Sequence, residues 1–466
     1  MERKQAENKL KEIVGIDISE FIYIDENGKE KISIPAITES ILLKYDFKTI
    51  FESRYETIFI QEKGIWIPKG KEVIKMKTEE LLGDKSTIHI INEVVEKIKR
   101  KTGISKEVFD FIPESLICLE NGVLDVKTKL FVEHSPNYYF KSKLPIKYNP
   151  EIKCEEIYKF LENILYPEDI SVIQEWFGFC LYKRYFIKKA MILFGEKNTG
   201  KTVLLNLLML FIGYKNTTGI SLQRISAGDK FAIAALKDKM SNVFDDLSAK
   251  DLTDSGGFKI ATGGGYMTGE YKFGDIFQFL NYAKHIFATN HIPNVKEIND
   301  DAYYDRWIPI QLDNQIEENK RDSFLLEKLT TKEELSGLLN WSLEGLKRLL
   351  EKGSFSFNKN SDEIKQIMLR QNNPLVAFVD EVLIQNDGNR ISKDIMFKIY
   401  SKWCREKKVP RLSKHQLGSN LAKYTDYITS KGGKERVWEN VSINPNMIGL
   451  IDIFSTGNVG DRYDGL

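Results

Sequence analysis

The sequence predicts an α/β protein, and three adjacent segments are the observations that predict it. Ala190–Phe194 is a short apolar run with the length and composition of a buried strand. Gly195–Thr202 is a loop rich in glycine and lysine, and Val203–Leu210 is an apolar run typical of a helix. A strand, a glycine-rich loop and a helix in direct succession indicate an α/β core, which we expect to extend to about residue 312.

Length and composition limit the class of protein. A chain of 466 residues is expected to form roughly two to four domains. The hydrophobic fraction of 42% and the charged fraction of 29% are typical of a soluble globular protein. No run of about 18 apolar residues is present, and the polar N-terminus does not resemble a secretory signal, so we expect a cytoplasmic protein with no membrane partner. With a net charge of +1, any nucleic-acid binding must depend on local patches.

The cysteines and histidines do not indicate a metal centre. The cysteines are scattered without C-x-x-C spacing, and none of the five histidines forms a metal-binding pair; the cysteines are Cys118, Cys154, Cys180 and Cys404. We therefore expect reduced thiols, and neither a zinc site nor a disulfide framework.

The region before the α/β core reads as short strands followed by helices. Residues 20–75 are predicted to contain strands, and helical patterns follow around 86–102 and 106–111. The predicted strands are Phe21–Ile24, Thr57–Ile60 and Gly64–Pro68. Glu120–Asp125 carries the Asn-Gly pair of a tight hairpin. Ile157–Leu165 and Ile170–Tyr182 have apolar residues at helical spacing.

The region after the core is predicted to be helical and then mixed. Leucines recur at steps of three and four within 320–353, and Gly353 is a suitable helix stop. A break at 372–374 begins a last region, for which the patterns predict three helices and two short strands. The helices are placed at 375–385, 392–407 and 413–424, and the strands around 431–434.

The glycine-rich loop matches the phosphate-binding pattern G-x-x-x-x-G-K-[ST]. In that pattern the backbone N–H groups and the helix N-terminus face the phosphates. Lys201 would reach the β- and γ-phosphates, and the Thr202 hydroxyl would bind Mg²⁺. The sequence therefore predicts binding of ATP with Mg²⁺, and the loop residues assigned to it are Gly195, Asn198, Thr199, Gly200, Lys201 and Thr202.

A carboxylate pair follows the next strong strand pattern. Ser241–Phe244 is a short apolar strand that ends in Asp245 and Asp246. A phosphoryl-transfer site needs one acid to help hold the metal and a group that orients the attacking water. Asp245 is assigned to the metal with Thr202, while either carboxylate could orient the water. The alternative is a strand followed by an aspartate-rich turn.

Two further polar residues extend the predicted site. Asn290 ends the apolar strand that begins at His285, where an amide could orient the attacking water; the alternative is an ordinary strand-end Asn. Arg306 precedes another buried strand, and in ring ATPases an arginine so placed enters the neighbouring subunit's site. The alternative is a structural arginine paired with Asp305 or Asp301.

Two segments are candidates for nucleic-acid contact. Residues 258–273 read as a glycine corner and a hairpin carrying Tyr271, Lys272 and Phe273, where a cation between aromatic rings can follow a DNA strand. A plain surface hairpin is the alternative. The last region reads as a winged helix, with a recognition helix opened by Ser413–Asn420. Its predicted DNA-contacting residues are Lys414 on that helix and Lys431, Lys434 and Arg436 in the wing.

Local charge favours DNA binding by this last region. Residues 401–436 hold ten Lys or Arg against three acids, although the whole chain is nearly neutral. A solvated face, or a winged helix that contacts protein, remains an alternative.

The ordered set of motifs resembles the superfamily 3 helicases, in particular the phage/plasmid/poxvirus primase–helicase family. The resemblance covers about residues 105–450, including upstream helices and a helix after the core. Its pieces are ICLENGVLDVKTKLFVEHSP, LPIKYNP, FGFCLYKR, GEKNTGKT, SNVFDDL, FKIATGGGYMTGEYKF, HIFATNHIP, DDAYYDRWIPI and LNWSLEGLKRLLEKGSF. It implies a P-loop core of AAA+ type, an ATP-dependent replicative DNA helicase, and a homo-oligomeric ring, a hexamer, with ATP sites between subunits.

The resemblance also assigns residue roles. Lys201 and Thr202 would bind phosphates and Mg²⁺, Asp245 and Asp246 would form the acidic pair, and Asn290 would be the sensor. Lys272 would be the lysine that moves single-stranded DNA through the ring, usually 3′→5′, and Arg306 the finger acting on the neighbour.

This sequence departs from the family at three points. The acidic pair is Asp-Asp where a Glu often serves, and no His follows Lys272. About 100 residues precede the collar, without a paired-carboxylate motif, so we expect a separate primase. The Lys/Ile/Asn-rich composition favours a virus, plasmid or integrated element in a prokaryotic host.

The resulting organisation has four regions. They are an N-terminal α+β domain of unknown role at 1–104, a helical collar for oligomerisation at 105–185, the ATPase domain at 186–355 and the winged helix at 370–455. Single- and double-stranded DNA are the expected partners. Two other functions stay open: a protein-remodelling P-loop ATPase, and an origin-binding initiator that uses ATP as an assembly switch.

Overall fold

The computed structural model shows a mixed α/β fold built around a parallel sheet. It describes residues 18–52, 56–248, 252–290, 292–293, 295, 300–372, 374–407, 411–425, 428–431 and 436–450. Among these residues, no helix is both long and apolar enough to cross a membrane.

The N-terminal unit packs three helices on a four-stranded sheet. The sheet order is β5-β4-β3-β6, and a two-stranded ribbon precedes it. The strands are β1 Ile22–Ile24, β2 Glu30–Ile32, β3 Phe47–Phe51, β4 Glu56–Glu62, β5 Ile65–Ile67 and β6 Gly103–Ile104, and the helices are α1 Ile34–Lys44, α2 Gly70–Leu82 and α3 Ile88–Lys101. Strands were predicted near β1, β4 and β5, but reading 20–75 as strands alone was wrong because it overlooked α1 and α2.

Local signals explain the first overlooked helix. The Ser33 side chain accepts a hydrogen bond from the Ala36 N–H, and a proline occupies the first turn of α1. Ile37 and Ile41 are then buried on one face, against the sheet. The β-branched composition of this segment concealed a well-capped helix.

A small three-stranded sheet and three helices lead to the core. These elements are α4 Lys106–Asp110, β7 Leu116–Cys118, β8 Val123–Asp125, β9 Phe131–Val132, α5 Glu155–Ile164 and α6 Pro167–Leu181. β7 and β8 pair antiparallel, and the Leu119 N–H donates to the Gly122 carbonyl at 2.8 Å. The hairpin predicted at Asn121-Gly122 is therefore confirmed.

Five parallel strands form the central sheet in the order β11-β12-β15-β10-β16. They are β10 Ala190–Phe194, β11 Thr217–Thr218, β12 Ser241–Phe244, β15 Lys284–Thr289 and β16 Trp307–Gln311. β10 and β15 are buried at every position, which accounts for their continuous apolar sequences. Because all neighbours are parallel, the loops that follow these strands meet at one edge of the sheet.

Helices and one hairpin complete this region. The helices are α7 Lys201–Ile212, α8 Leu222–Ser226, α9 Lys230–Ala234, α10 Gly256–Ala261 and α11 Asp301–Tyr304, and the hairpin joins β13 Tyr266–Glu270 to β14 Ile276–Leu280. The hairpin predicted in this segment is thus present.

A long helix near residue 340 packs against the helices that precede the central sheet. α12 spans Leu325–Leu329 and α13 spans Lys332–Lys352, and α13 ends at Gly353 with φ 70°, as predicted. A Cβ at Gly178 of α6 would lie 2.4 Å from the Ser342 carbonyl oxygen of α13, so glycine permits this close contact. One hydrophobic core runs from Ile117 through α5, α6 and α7 to α13.

The Glu175–Arg348 pair crosses the same interface. Glu175 is fully buried, and its carboxylate accepts from Arg348 Nε at 2.6 Å and from the Ser356 N–H and hydroxyl at 2.7 Å. The buried charge is thereby compensated on both oxygens.

The C-terminal unit combines helices with an antiparallel sheet of order β17-β19-β18. Its elements are α14 Ser361–Asn372, α15 Pro374–Val382, β17 Leu383–Ser392, α16 Lys393–Glu406, α17 Lys414–Asn420, β18 Thr429–Lys431 and β19 Val437–Ile443. The predicted helix 375–385 ends at Val382 because the following residues pair with β19. The predicted helix 413–424 is a short α17 followed by a 3₁₀ turn at Leu421–Lys423.

Candidate nucleotide and nucleic-acid sites

The loop between β10 and α7 depends on glycine at two positions. Gly195 has φ 142°, and a Cβ there would lie 2.1 Å from the Leu312 carbonyl oxygen. Gly200 has φ 94°, is the N-cap of α7, and would place a Cβ 2.9 Å from the Ile164 side chain. Any side chain at either position would push apart the loop and the elements packed on it. Glycine at these two positions therefore lets the loop pack closely against Leu312 and Ile164.

Lys201 lies over this loop. Its Nζ donates to the carbonyl oxygens of Gly195 at 2.7 Å and Glu196 at 2.6 Å, and lies 3.4 Å from the Thr199 hydroxyl. Burial lowers the pKa of Lys201, while the charges of Asp245 and Glu196 oppose that shift. The ammonium is held by neutral acceptors, which a phosphate oxygen can replace.

Thr202 and Asp245 are brought into direct contact. The Thr202 hydroxyl donates to Asp245 Oδ2 at 2.7 Å, and the Asp246 N–H donates to Asp245 Oδ1 at 2.8 Å. A hydroxyl and a carboxylate are oxygen ligands of the kind Mg²⁺ takes, so this pair fits the metal. The described residues contain no group of three or more His, Cys, Asp or Glu able to hold a metal ion. Mg²⁺ bound here would therefore need phosphate and water oxygens to complete its ligands.

A cavity of about 880 Å³ joins the predicted phosphate site to the strand ends. It is lined by Asn198–Thr202 and by Asp245, Asp246 and Asn290. These residues meet because β12, β15 and β10 are neighbours whose carboxyl ends share one edge. Thr289, beside Asn290, anchors the end of β15 through a 3.0 Å bond from its hydroxyl to the Leu247 carbonyl.

Asp246 differs from Asp245 in its backbone conformation and in the hydrogen bonding of its carboxylate. Its φ is 54°, an uncommon left-handed value for a residue other than glycine. Both Asp245 oxygens accept bonds, whereas no described residue donates a hydrogen bond to the Asp246 carboxylate. The Asp245 carboxylate is thus held in place by two hydrogen bonds, whereas the Asp246 carboxylate is available for other contacts in the cavity.

Arg306 lies at the opposite edge of the sheet. Its carbonyl accepts from the Ala190 N–H at 2.6 Å, at the start of β10, so the length of that strand separates it from the phosphate loop. Asp301 and Asp305 were the alternative partners predicted for Arg306. Both belong to the described residues, and neither carboxylate lies within 4.0 Å of the guanidinium. Asp305 instead pairs with Lys189, which also donates to the Asp305 carbonyl.

The Arg306 side chain has few partners of its own. Its Nε is buried without a hydrogen bond, and one terminal nitrogen lies 3.5 Å from the Ala302 carbonyl. The residues that line this cavity do not include Arg306. The guanidinium therefore lies away from the predicted phosphate site.

The hairpin between β13 and β14 presents Tyr271, Lys272 and Phe273 at its tip. Tyr271 is half exposed and stacks on Phe277 with ring centres 4.7 Å apart. The Lys272 ammonium lies 5.3 Å from the centre of the Phe273 ring. Phe273 is 95% exposed, and its φ is 62°. The tip thus combines a cation with two accessible rings.

The predicted DNA-contacting residues of the C-terminal unit have different surroundings. Lys414 opens α17 but forms an ion pair with Asp394, and Lys414 in turn holds the pKa of Asp394 below its usual range. Arg436 is exposed. The Lys431 side chain and the whole of Lys434 lie outside the described residues. The pairing of Lys414 reduces the free positive charge expected on α17.

The cavity also contains residues that the sequence analysis did not identify. Lys159, Phe160 and Asn163 of α5 form one wall, and Arg321 follows β16 at another. The charged run from Glu317 to Asp322 was the available signal for Arg321, but nothing in it indicated nearness to the phosphate loop. Only the path of the chain after β16 brings the two together.

The chain matches known protein families over most of its length. The fold and the cavity define an α/β protein in which a loop that matches the phosphate-binding pattern lies at the carboxyl edge of a parallel sheet. Three family models match successive parts of the chain: "D5 N terminal like" at residues 48–166, a "family of unknown function (DUF5906)" at 193–306, and "Poxvirus D5 protein-like" at 370–454. The chain is a member of the phage and poxvirus D5-like primase–helicase family. This family is associated with replication.

Solved structures with partial similarity include those of the NrS-1 C-terminal region. The apo structure has a TM-score of 0.47 at 14% identity, covering 87% of this chain and 98% of that chain. An A-form apo structure has a TM-score of 0.46 at 13% identity, with the same coverage of both chains. The family assignment rests on the two D5 family models.

Proposed function

We propose that this protein is an ATP-dependent replicative DNA helicase that works as a homo-oligomeric ring, a hexamer, with an AAA+-like core. One observation carries the proposal: Lys201, Thr202, Asp245, Asp246 and Asn290 share one cavity, while Arg306 faces away from it. A site of this kind is complete only when a second copy supplies the arginine. Arginines supplied in this way are strong contributors to phosphoryl transfer.

The roles of the cavity residues follow from their contacts. Lys201 would exchange its carbonyl acceptors for oxygens of the β- and γ-phosphates. Thr202 and Asp245 would hold Mg²⁺, which neutralises charge on the phosphates. Asp246 is the better candidate to polarise the attacking water, because both oxygens of Asp245 are engaged. Asn290, at the end of the intervening strand, would orient that water.

The hairpin provides the proposed contact with single-stranded DNA. Lys272 can bind a backbone phosphate, and exposed rings offer faces on which bases or sugars can stack. Hairpins from successive subunits would then move one DNA strand as those subunits hydrolyse ATP. The C-terminal unit is proposed to be a winged helix that binds duplex DNA, with Arg436 and the flanking lysines as contacts. A separate primase would supply primers.

A strand-displacement assay tests this proposal. Duplexes with 3′ or 5′ single-stranded tails are incubated with the protein, Mg²⁺ and ATP, and strand release is measured beside ATP hydrolysis. We expect ATP-dependent release from one tail polarity and stimulation of hydrolysis by single-stranded DNA. Lys201→Ala should abolish hydrolysis, and Lys272→Ala should keep the basal hydrolysis but lose its stimulation by single-stranded DNA.

Two results would favour the other functions. Hydrolysis that DNA does not stimulate would favour a protein-remodelling ATPase. Sequence-specific duplex binding without strand release would favour an origin-binding initiator, in which ATP controls assembly.

A further inference from the structure

The chain leaving β16 is tied to the phosphate-binding loop. The Leu312 N–H donates to the Phe194 carbonyl at 2.9 Å, directly before the loop. The Ile316 N–H donates to the Asn198 carbonyl at 3.0 Å, within the loop. These two bonds fix residues 312–316 along the loop, so the residues that follow begin at the edge of the cavity.

Arg321 lies on this continuation and lines the cavity. Its Nε has a long contact of 3.4 Å to the Ile316 carbonyl, which anchors the base of the guanidinium to the tied segment. The neighbouring Asp322 is engaged by Lys328 at 2.6 Å and by the Phe324 N–H at 2.9 Å. No described carboxylate lies within 4.0 Å of the Arg321 guanidinium. Its terminal nitrogens are therefore available to an anion in the cavity.

The other charged groups of the cavity are compatible with a role for Arg321 as a cation that binds phosphate. Lys159 is neutralised by Glu156 at 2.7 Å, and Asp322 is neutralised by Lys328. Asp245 and Asp246 add negative charge close to where a triphosphate would lie. Lys197 and Lys201 are the remaining lysines of the lining, and an arginine fork would add to them a cation that matches phosphate oxygens geometrically.

We propose that Arg321 is a phosphate-binding residue of the same subunit, which contacts the terminal phosphate and thereby distinguishes ATP from ADP. This inference rests on the proposed function. Each site would contain Lys201 and Arg321 from one subunit and Arg306 from its neighbour. Arg321 would sense the triphosphate through a segment that is bonded to the phosphate loop itself.

Calorimetric binding of Mg-ATPγS and Mg-ADP to the full chain tests this role. Arg321→Ala should weaken ATPγS binding about tenfold or more, as expected for loss of charge-assisted hydrogen bonds, and ADP binding by less than about threefold. Arg321→Lys should retain part of the preference. Arg100→Ala is the matched control, because Arg100 is exposed and its Nε likewise contacts a backbone carbonyl, at 3.1 Å, outside the cavity.

Three results separate the possibilities. Wild-type affinity of Arg321→Ala for both nucleotides would overturn the inference. Equal weakening for both, accompanied by a lower unfolding temperature, would also overturn it and identify a structural residue. A wild-type chain that binds neither nucleotide would refute the proposed function, and this inference with it.

Discussion

Replacing Phe273 with glycine separates the demands of folding from those of DNA binding. Phe273 occupies the third position of a turn in which the Gly274 N–H donates to the Tyr271 carbonyl at 2.8 Å. Its φ of 62° is a conformation that glycine adopts freely and a bulky residue adopts at a cost. At 95% exposure, the ring gains almost nothing from burial. The sequence places phenylalanine where folding alone would favour glycine.

The magnitudes for Phe273→Gly follow from these values. Glycine at the same φ removes a steric cost of about 1–2 kcal/mol, and the greater backbone freedom of unfolded glycine removes about 0.5–1 kcal/mol of that gain. We therefore expect the free energy of unfolding to stay constant or rise by about 1 kcal/mol. Loss of one base-stacking ring should cost about 1–3 kcal/mol of binding, or about five- to 150-fold in single-stranded DNA affinity.

Two measurements test this prediction. Urea unfolding gives the stability, and fluorescence anisotropy with a labelled single strand gives the affinity. Phe273→Tyr keeps a stacking face and should bind DNA like the wild type. Phe111→Ala is a control for loss of an exposed ring elsewhere, since Phe111 is 70% exposed. A Phe273→Gly protein that is about 2 kcal/mol less stable and binds DNA normally would refute the reasoning.

The remaining predictions concern the subunit interface, the core and pH. Arg306→Ala should bind nucleotide but not hydrolyse it, and mixing with Lys201→Ala subunits should restore some hydrolysis; wild-type turnover by Arg306→Ala alone would contradict the role in a neighbour's site. Arg348→Ala leaves Glu175 buried without its cation and should cost about 3–5 kcal/mol in urea unfolding, a loss that should shrink in a double variant with Glu175→Gln. Burial lowers the pKa of Lys284 to about 7, so between about pH 7 and pH 10 the unfolded chain holds a proton that the folded chain does not. Wild-type stability should therefore rise across that range relative to Lys284→Met, and parallel curves for the two proteins would exclude this effect.

Much of the candidate site could be predicted because its signals are local. The phosphate loop, the aspartate pair and Asn290 each follow an apolar strand, and each lies where its strand ends. The hairpin and the Gly353 helix stop also depend on short-range patterns. The overlooked elements had local signals that conflict with one another. α1 is rich in β-branched residues, and β17 continues a helical pattern until pairing with β19 redirects it.

Charged side chains were harder to assign than strands. The sequence left Arg306 the choice of Asp301 or Asp305, and the structure gives Asp305 to Lys189. The sequence predicted Lys414 as a cation that contacts DNA, whereas in the structure Lys414 forms an ion pair with Asp394 on another helix. Such partners are distant in sequence, so no local pattern reports them.

The sequence by itself determined the α/β class, the loop that matches the phosphate-binding pattern and the order of the polar strand ends, because apolar periodicity and loop composition are properties of adjacent residues. Only the tertiary structure decided which groups share a cavity. The strand order β11-β12-β15-β10-β16 brings Asp245, Asp246 and Asn290 to Lys201 and leaves Arg306 at the far edge. The bonds of residues 312 and 316 to the loop bring Arg321 to the same cavity. Strand order and long-range hydrogen bonds arise from packing of the whole chain, and that is why they could not be read from its local patterns.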